Sequence, residues 1–503
     1  MELYNGGTVS LAQIPVLTGE EFRKEILGSC ADEARLVNLF GSLDTDGYVR
    51  LFAILGRDDE AQLLVRSMRI SPDSPDYLAL TTELPQAHAF EREIAEQWAV
   101  TPTGHPWLKP LRYHSNYRGV PDIWKDISTR CTPGVYPFYS VKGDEVHEVG
   151  VGPVHAGIIE PAHFRFQCHG EEILHLEIQL GYQHRGIEPM MQGLDLKHGV
   201  LLSESIAGDT SIGHSTAFCE TVEALSQCQI SPRAKAIRAI ALELERLANH
   251  VGDLGALGMD TGFLPASAYF GRMRGDYLNL LLELTGNRFG KGLCRPGGVL
   301  FDIDKVMAAA FINRLTKYKK EFEDVSELLF SRSSVLARFE GAGVIPAETA
   351  RILGMVGPSA RASQLEHDVR IEYSSGIWQF YHIPISLAAT GDVYARALVR
   401  RHEVLRSLEF LLKVLVTLPK GDLLSVFGVM KPGTLAISLV EGWRGEIVHT
   451  GITDDKGAFS RYKIKDPSFH NWHGLALAMR NEEISDFPLC NKSFSLSYCG
   501  HDL

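Results

Sequence analysis

Residues 231–251 read SPRAKAIRAIALELERLANHV, and this stretch sets the character of most of the chain. Ser231 is a residue type that caps a helix, and Pro232 suits the first helical position, where its missing N–H is no loss. Ile237, Ile240, Ala241, Leu244, Leu247, Ala248 and Val251 then recur at i, i+3, i+4, i+7 spacing and form one apolar stripe. Similar patterns predict further helices at about 199–228, 265–285, 304–330, 346–355, 392–418 and 471–482. Before them, Phe164–Cys168 and Ile173–Leu180 read as strands. Residues 151–503 are therefore expected to form a large, mainly helical domain with a small β-sheet.

Upstream the pattern changes. Leu36 to Leu55 reads LVNLFGSLDTDGYVRLFAIL, two apolar runs flanking Asp44-Thr45-Asp46-Gly47, which predicts a hairpin. A helix is expected over Phe90 to Trp98. Residues 1–112 thus read as a small α/β domain. Residues 113–150, rich in Pro, Gly, Tyr and Ser, read as an extended linker. The expected class is α+β.

The chain has 503 residues, 45% hydrophobic and 22% charged, which suits a globular protein with a sizeable core. A net charge of −12 with no Lys/Arg block speaks against nucleic acid as a partner. No apolar run approaches the ~18 residues that span a bilayer; Leu408 to Leu418 is interrupted by Lys413. The first residues, MELYNGGTVSLAQIP, lack the basic and apolar regions of a secretory signal. A cytoplasmic location is expected, with peripheral attachment to a membrane complex. Eight cysteines, none in a C-x-x-C pair, are too sparse for a disulfide scaffold.

Four clusters combine ionisable residues with glycine. Gly152-Pro153-Val154-His155-Ala156-Gly157 presents His155 at the tip of a permissive loop, whether as a functional group or as an ordinary turn histidine. Gly181 to Glu188 brings His184, Arg185 and Glu188 to a strand end, as a site or as a surface salt-bridge cluster. The third runs from Glu204 through Ala207, Asp209 and Thr210 to His214. The fourth comprises Asp466 to Trp472 and the ending SFSLSYCGHDL, which is expected to dock in the core. His155, His163, His169 and His175 fit no usual zinc spacing. No G-x-G-x-x-G opens a helix after a strand and no P-loop occurs, so NADH, if used, belongs to another subunit.

The third and fourth clusters resemble the two metal-binding segments of the large subunit of membrane-bound, energy-converting [NiFe] hydrogenases, and the related Nuo-type large subunit of respiratory complex I. GPVHAGIIEPAHFRF, LGYQHRGIE, ALELERLANHVGDLGAL, TGNRFGKGLCRPGGV, VGPSARAS with Asp368 and Arg370, GDVYARALVR, VEGWRGE and RYKIKDPSFHNW are similar to that family in the same order. FEREIAEQWAVTPTGHPWLKPL resembles the small accessory subunit of complex I that sits beside the large one, fused here as in the formate hydrogenlyase large subunit.

The departures are as informative. Both segments of the hydrogenases carry C-x-x-C, whose four thiolates hold nickel and bridge to iron. The corresponding residues here are Ala207, Thr210, Ser468 and Asn471. Alanine has no donor atom, and neutral oxygen or amide donors hold soft metals weakly. The resemblance therefore implies a cysteine-less, hydrogenase-related chain with no metal and no cofactor motif of its own. In complex I the cavity takes a quinone head group, with a loop histidine and a tyrosine as partners. His155 matches that histidine, while Leu196 stands at the tyrosine's place.

What the resemblance implies is an oxidoreductase subunit taking electrons from an iron–sulfur cluster in a partner small subunit to a quinone-like or other acceptor. Antiporter-like membrane subunits would move ions. The catalytic candidates are His155, His184, Arg185 and Glu188. Glu188 is expected to be tuned by burial towards neutral pH and to relay protons; an Arg185–Glu188 ion pair that only fixes the loop is the alternative. A non-catalytic scaffold is the other reading of the whole chain, and an active hydrogenase the least supported.

Overall fold

The computed structural model describes residues 1–124 and 138–503. Residues 125–137 of the expected linker, Cys131 among them, lie outside the described residues. The Leu36–Leu55 hairpin forms as read: Arg35–Leu43 pairs antiparallel with Val49–Arg57, with Phe40 opposite Phe52. Gln62–Ile70 adds the third long strand, and Glu2–Leu3 and Val16–Leu17 complete a five-stranded sheet.

Both faces of this sheet are covered. Leu39, Leu51, Ala53 and Leu55 pack on Phe22 and Ile26 of the Gly19–Ala31 helix and on Phe90 and Ile94 of the His88–Trp98 helix. Alternate residues Val37, Phe40, Phe52 and Ile54 face Leu435, Ile437, Leu439 and Val448 of a second sheet. Period-2 alternation sends neighbouring side chains to opposite layers, so most positions are apolar on both faces, with Asn38 and Ser67 as buried polar exceptions.

The second sheet is built of Thr434–Gly442, Gly445–Thr453 and Phe459–Lys465, strands absent from the sequence reading. Thr8–Ser10 from the chain start adds to its edge, with Val9 opposite Leu435. The first ten residues therefore join a sheet formed by the last seventy.

The Ser231 helix runs over Pro232–Asp260, and the Ser231 hydroxyl accepts the Ala234 N–H at 3.1 Å. All seven stripe residues are fully buried, each contributing on the order of 1–3 kcal/mol. The helix packs against Leu264–Thr285, Val393–Val416 and Ser211–Ser226, so it is enclosed nearly all round. The two expected strands form as His163–His169 and Glu172–Gln179, with Val146–Val151 on the other side of His163–His169.

One expected helix is two. The pattern at 199–228 resolves into Leu196–Ser203 and Ser211–Ser226, with a turn between. Ser203 and Ser205 hydroxyls donate to the Val200 and Leu202 carbonyls, which competes with helix continuation. The Glu245 carboxylate then accepts the Ile212 and Gly213 N–H groups at 2.7 and 3.1 Å, which opens the second helix.

Candidate functional site

That turn, residues 204–210, is gripped from the second sheet. Arg444, in the tight turn between two strands, donates to both oxygens of Asp209 at 2.6 and 2.7 Å. Its guanidinium lies over the Trp443 ring at 3.9 Å. The Trp443 indole N–H donates to the Asp209 carbonyl at 3.0 Å and to Thr210 Oγ1 at 3.1 Å. Gly357 lies against this turn with φ +68°, and a Cβ there would meet the Arg444 carbonyl at 2.0 Å. Only glycine fits such a position.

The last segment closes the frame. Asn471, on the Ser468–Ala478 helix, clamps both backbone groups of Val356 at 3.1 and 2.9 Å. Ser468 Oγ accepts the Ser497 N–H at 2.8 Å, and Arg444 donates to the Ser495 carbonyl at 2.6 Å. Asp466 accepts the Ser468 N–H at 2.8 Å and pairs with His214 at 3.1 Å. The ending docks as expected: residues 498–502 form a short buried helix.

Ala207, Thr210, Ser468 and Asn471 are all buried. Thr210 Oγ1 donates to Asp209 and accepts from Trp443 and Arg444. With Ser468 and Asn471 committed as above and Ala207 without a donor, these residues do not fit a nickel–iron centre. Among the described residues, the group with metal-binding geometry is Asp58, His367 and Glu372, whose ligand atoms lie within 4.8 Å of one another. The Arg35 guanidinium donates to both Asp58 oxygens, which opposes a cation there.

His155 sits in the loop before His163–His169. Its Nε2 is 2.9 Å from the Ala162 carbonyl, and its ring lies 5.7 Å from Phe164. Val154 and Ile158 flank it at 75% and 86% exposure. The loop reaches the C-terminal helix through Glu160, which accepts the Cys499 N–H at 3.3 Å.

His184 Nδ1 is 2.8 Å from the Asp502 carbonyl, and the ring stacks on His114 at 4.5 Å. Burial, then the neighbouring His114, lowers its pKa. Arg185 donates to the Ser205 and Ile206 carbonyls at 2.7 and 3.0 Å, so it orients the turn that carries Ala207.

Glu188 corrects two expectations. It does not pair with Arg185; Lys463 and Arg461 take its carboxylate at 2.9 and 3.0 Å. Gln97 and the Ile464 N–H add two more bonds. Burial alone would raise its pKa, but Lys463, Arg461 and Arg112 outweigh it and hold it well below the carboxylate range. Burial therefore does not tune Glu188 towards neutrality. Lys463 and Arg112 also pair with Glu93, so the network ties the His88–Trp98 helix to the second sheet.

A carboxyl that is raised towards neutrality is Glu245. Burial raises it, the Ile212 and Gly213 N–H groups pull the other way, and Asp209 raises it further, to about 8. The sequence signal was available: Glu243, Glu245, Arg246, Asn249 and His250 crowd a helix whose apolar residues leave no solvent face for all of them.

Residues 260–432 match the family model described as respiratory-chain NADH dehydrogenase, 49 Kd subunit. The NADH-quinone oxidoreductase subunit 4 of Thermus thermophilus is 30% identical over 370 residues, 68% of this chain and 90% of the relative. The chain belongs to this complex I subunit family. Formate hydrogenlyase subunit 5 of Escherichia coli is 29% identical over 480 residues, 92% of this chain and 83% of that one. The same fold is seen in a chain of the membrane-bound sulfane sulfur reductase, an archaeal respiratory membrane complex, at TM-score 0.67 and 23% identity. That likeness covers 73% of this chain and all of the other. Family membership makes the chain a subunit of a membrane-associated redox complex. Among the described residues, no helix is long and apolar enough to cross a membrane.

Proposed function

We propose that this member of the complex I family receives electrons from an iron–sulfur cluster in a neighbouring small subunit and passes them to a quinone-like or other acceptor. The acceptor would sit between the His155 loop, the 204–210 turn and Ser468. Antiporter-like membrane subunits would couple the reduction to ion movement, with this subunit attached peripherally on the cytoplasmic side of the inner membrane. NADH, if it is the donor, binds elsewhere in the complex.

The observation that carries this reading is the replacement of all four thiolate positions by Ala207, Thr210, Ser468 and Asn471 within an intact frame. Nickel–iron chemistry loses its ligands, while the His155 loop stays beside the C-terminal helix. His155 would orient the acceptor. His184 and Arg185 would hold the ending and the 204–210 turn, and Glu188 would anchor the second sheet.

Turnover of candidate acceptors by the isolated complex, with and without His155→Ala, tests the reading. A loss of acceptor reduction with assembly retained supports it. The scaffold reading is favoured by one observation: Thr210, Ser468 and Asn471 are all consumed by structural bonds. It predicts a complex that assembles through this chain and reduces acceptors equally well with Ala at 155.

A further inference from the structure

Four buried side chains outside the catalytic candidates form an unbroken hydrogen-bonded line into the site. Tyr462 Oη lies 2.9 Å from His449 Nδ1. His449 Nε2 lies 3.1 Å from His214 Nδ1. His214 Nε2 lies 3.1 Å from Asp466 Oδ2, whose other oxygen takes the Ser468 N–H. All four side chains are essentially without solvent exposure.

We propose that Tyr462, His449, His214 and Asp466 form a proton relay that delivers protons to the acceptor space at Ser468. The proposal rests on the acceptor-reduction reading above.

The chemistry of the donors fixes the direction. Burial opposes ionisation of Asp466, but the hydrogen bond from His214, the nearby Arg444 and the Ser468 N–H prevail and keep Asp466 a carboxylate. A carboxylate only accepts, so His214 carries its proton on Nε2 and leaves Nδ1 as an acceptor. His449 must then donate from Nε2, and its Nδ1 accepts from the Tyr462 hydroxyl. Burial keeps His449 neutral, with a single ring proton, and in the relay His214 rests with a single proton as well. Every link thus has one donor and one acceptor, all pointing the same way.

Transfer moves three protons by one link each: Tyr462 to His449, His449 to His214, and His214 to Asp466. One proton leaves Asp466 for the reduced acceptor and one enters at Tyr462 from solvent, with no change in electron count. The outer end lies beside Thr221, whose hydroxyl donates to the Ala217 carbonyl at 2.8 Å. Its chain neighbour Glu220 lines a cleft of about 500 Å³ edged by Lys235 and Trp378, from which the relay would take its protons.

Two measurements on the intact complex test this. Nitrogen-15 NMR with labelled histidine should show the Nε2–H tautomer at both His449 and His214; an Nδ1–H tautomer at either overturns the relay. Tyr462→Phe keeps the ring packed against Phe218 and Phe459. It should lower acceptor reduction about 10-fold or more and enlarge the solvent deuterium isotope effect, with co-purification and melting temperature unchanged. Unaltered rate and isotope effect would overturn the relay as well. If the wild-type complex reduces no acceptor at all, the functional reading fails, and the tautomers decide the relay by themselves.

Discussion

Glu188 Oε1 lies 2.9 Å from Lys463 Nζ, with both side chains almost entirely out of solvent. The two residues meet from distant parts of the chain, and Arg461 flanks the same carboxylate. A buried pair of this kind says little about net stability, but removing one partner is costly, about 3–5 kcal/mol, because it strands the other charge.

Glu188→Gln is therefore expected to destabilise the folded chain by ~3 kcal/mol, read from the midpoint of urea unfolding. The sign with pH follows from a depressed carboxyl. Its stabilisation is complete above the unfolded value of 4.5 and is lost as pH falls below it. The wild type should lose stability in acid more steeply than the variant.

His367 titrates the other way. Burial and Arg35 lower its pKa, but Glu372 and Asp58 prevail and raise it to about 10. The unfolded value is 6.5, so its stabilisation is complete below that pH and is lost as pH rises towards 10. His367→Gln should flatten the stability profile between those limits. An unfolding free energy with the same slope in both proteins would refute the assignment.

Glu245 holds a proton that its unfolded form releases. With 4.5 as the ordinary value and about 8 in the fold, stability should fall as pH rises between them. Glu245→Gln removes the titrating group and should remove this fall, while its single oxygen keeps only one of the two bonds from the Ile212 and Gly213 N–H groups. Thermal melts across that range check it; a fall of the same slope in the variant would contradict it.

These networks explain what could be read in the sequence. The Ser231 helix and the Asp44–Gly47 hairpin were legible because cap, turn and period lie within a few residues. The sheet over 434–465 was not: its strands are buried on both faces, so the alternation that marks a half-exposed strand is missing. The break at 204–210 was hidden because Glu245 and Arg444, remote in sequence, create it. His155 announced itself through its Gly/Pro loop. Glu188 stands out in the sequence but its charge environment does not, since Lys463 and Arg461 lie 275 and 273 positions away.

Gly357→Ala should disturb the frame without touching a titratable group. The new methyl meets the Arg444 carbonyl from a left-handed backbone. Strained positions of this type cost about 1–3 kcal/mol. The Asp209–Arg444 pair should loosen, so the melting temperature should drop. An unchanged melt would mean that the turn moves aside freely.

Structural hydrogen bonds engage Thr210, Ser468 and Asn471, the positions where the resemblance to hydrogenases would put metal ligands. Elemental analysis of the complex purified with its partners tests this most directly. The account predicts iron from the partner clusters and only trace nickel; about one nickel per copy of this chain would contradict it.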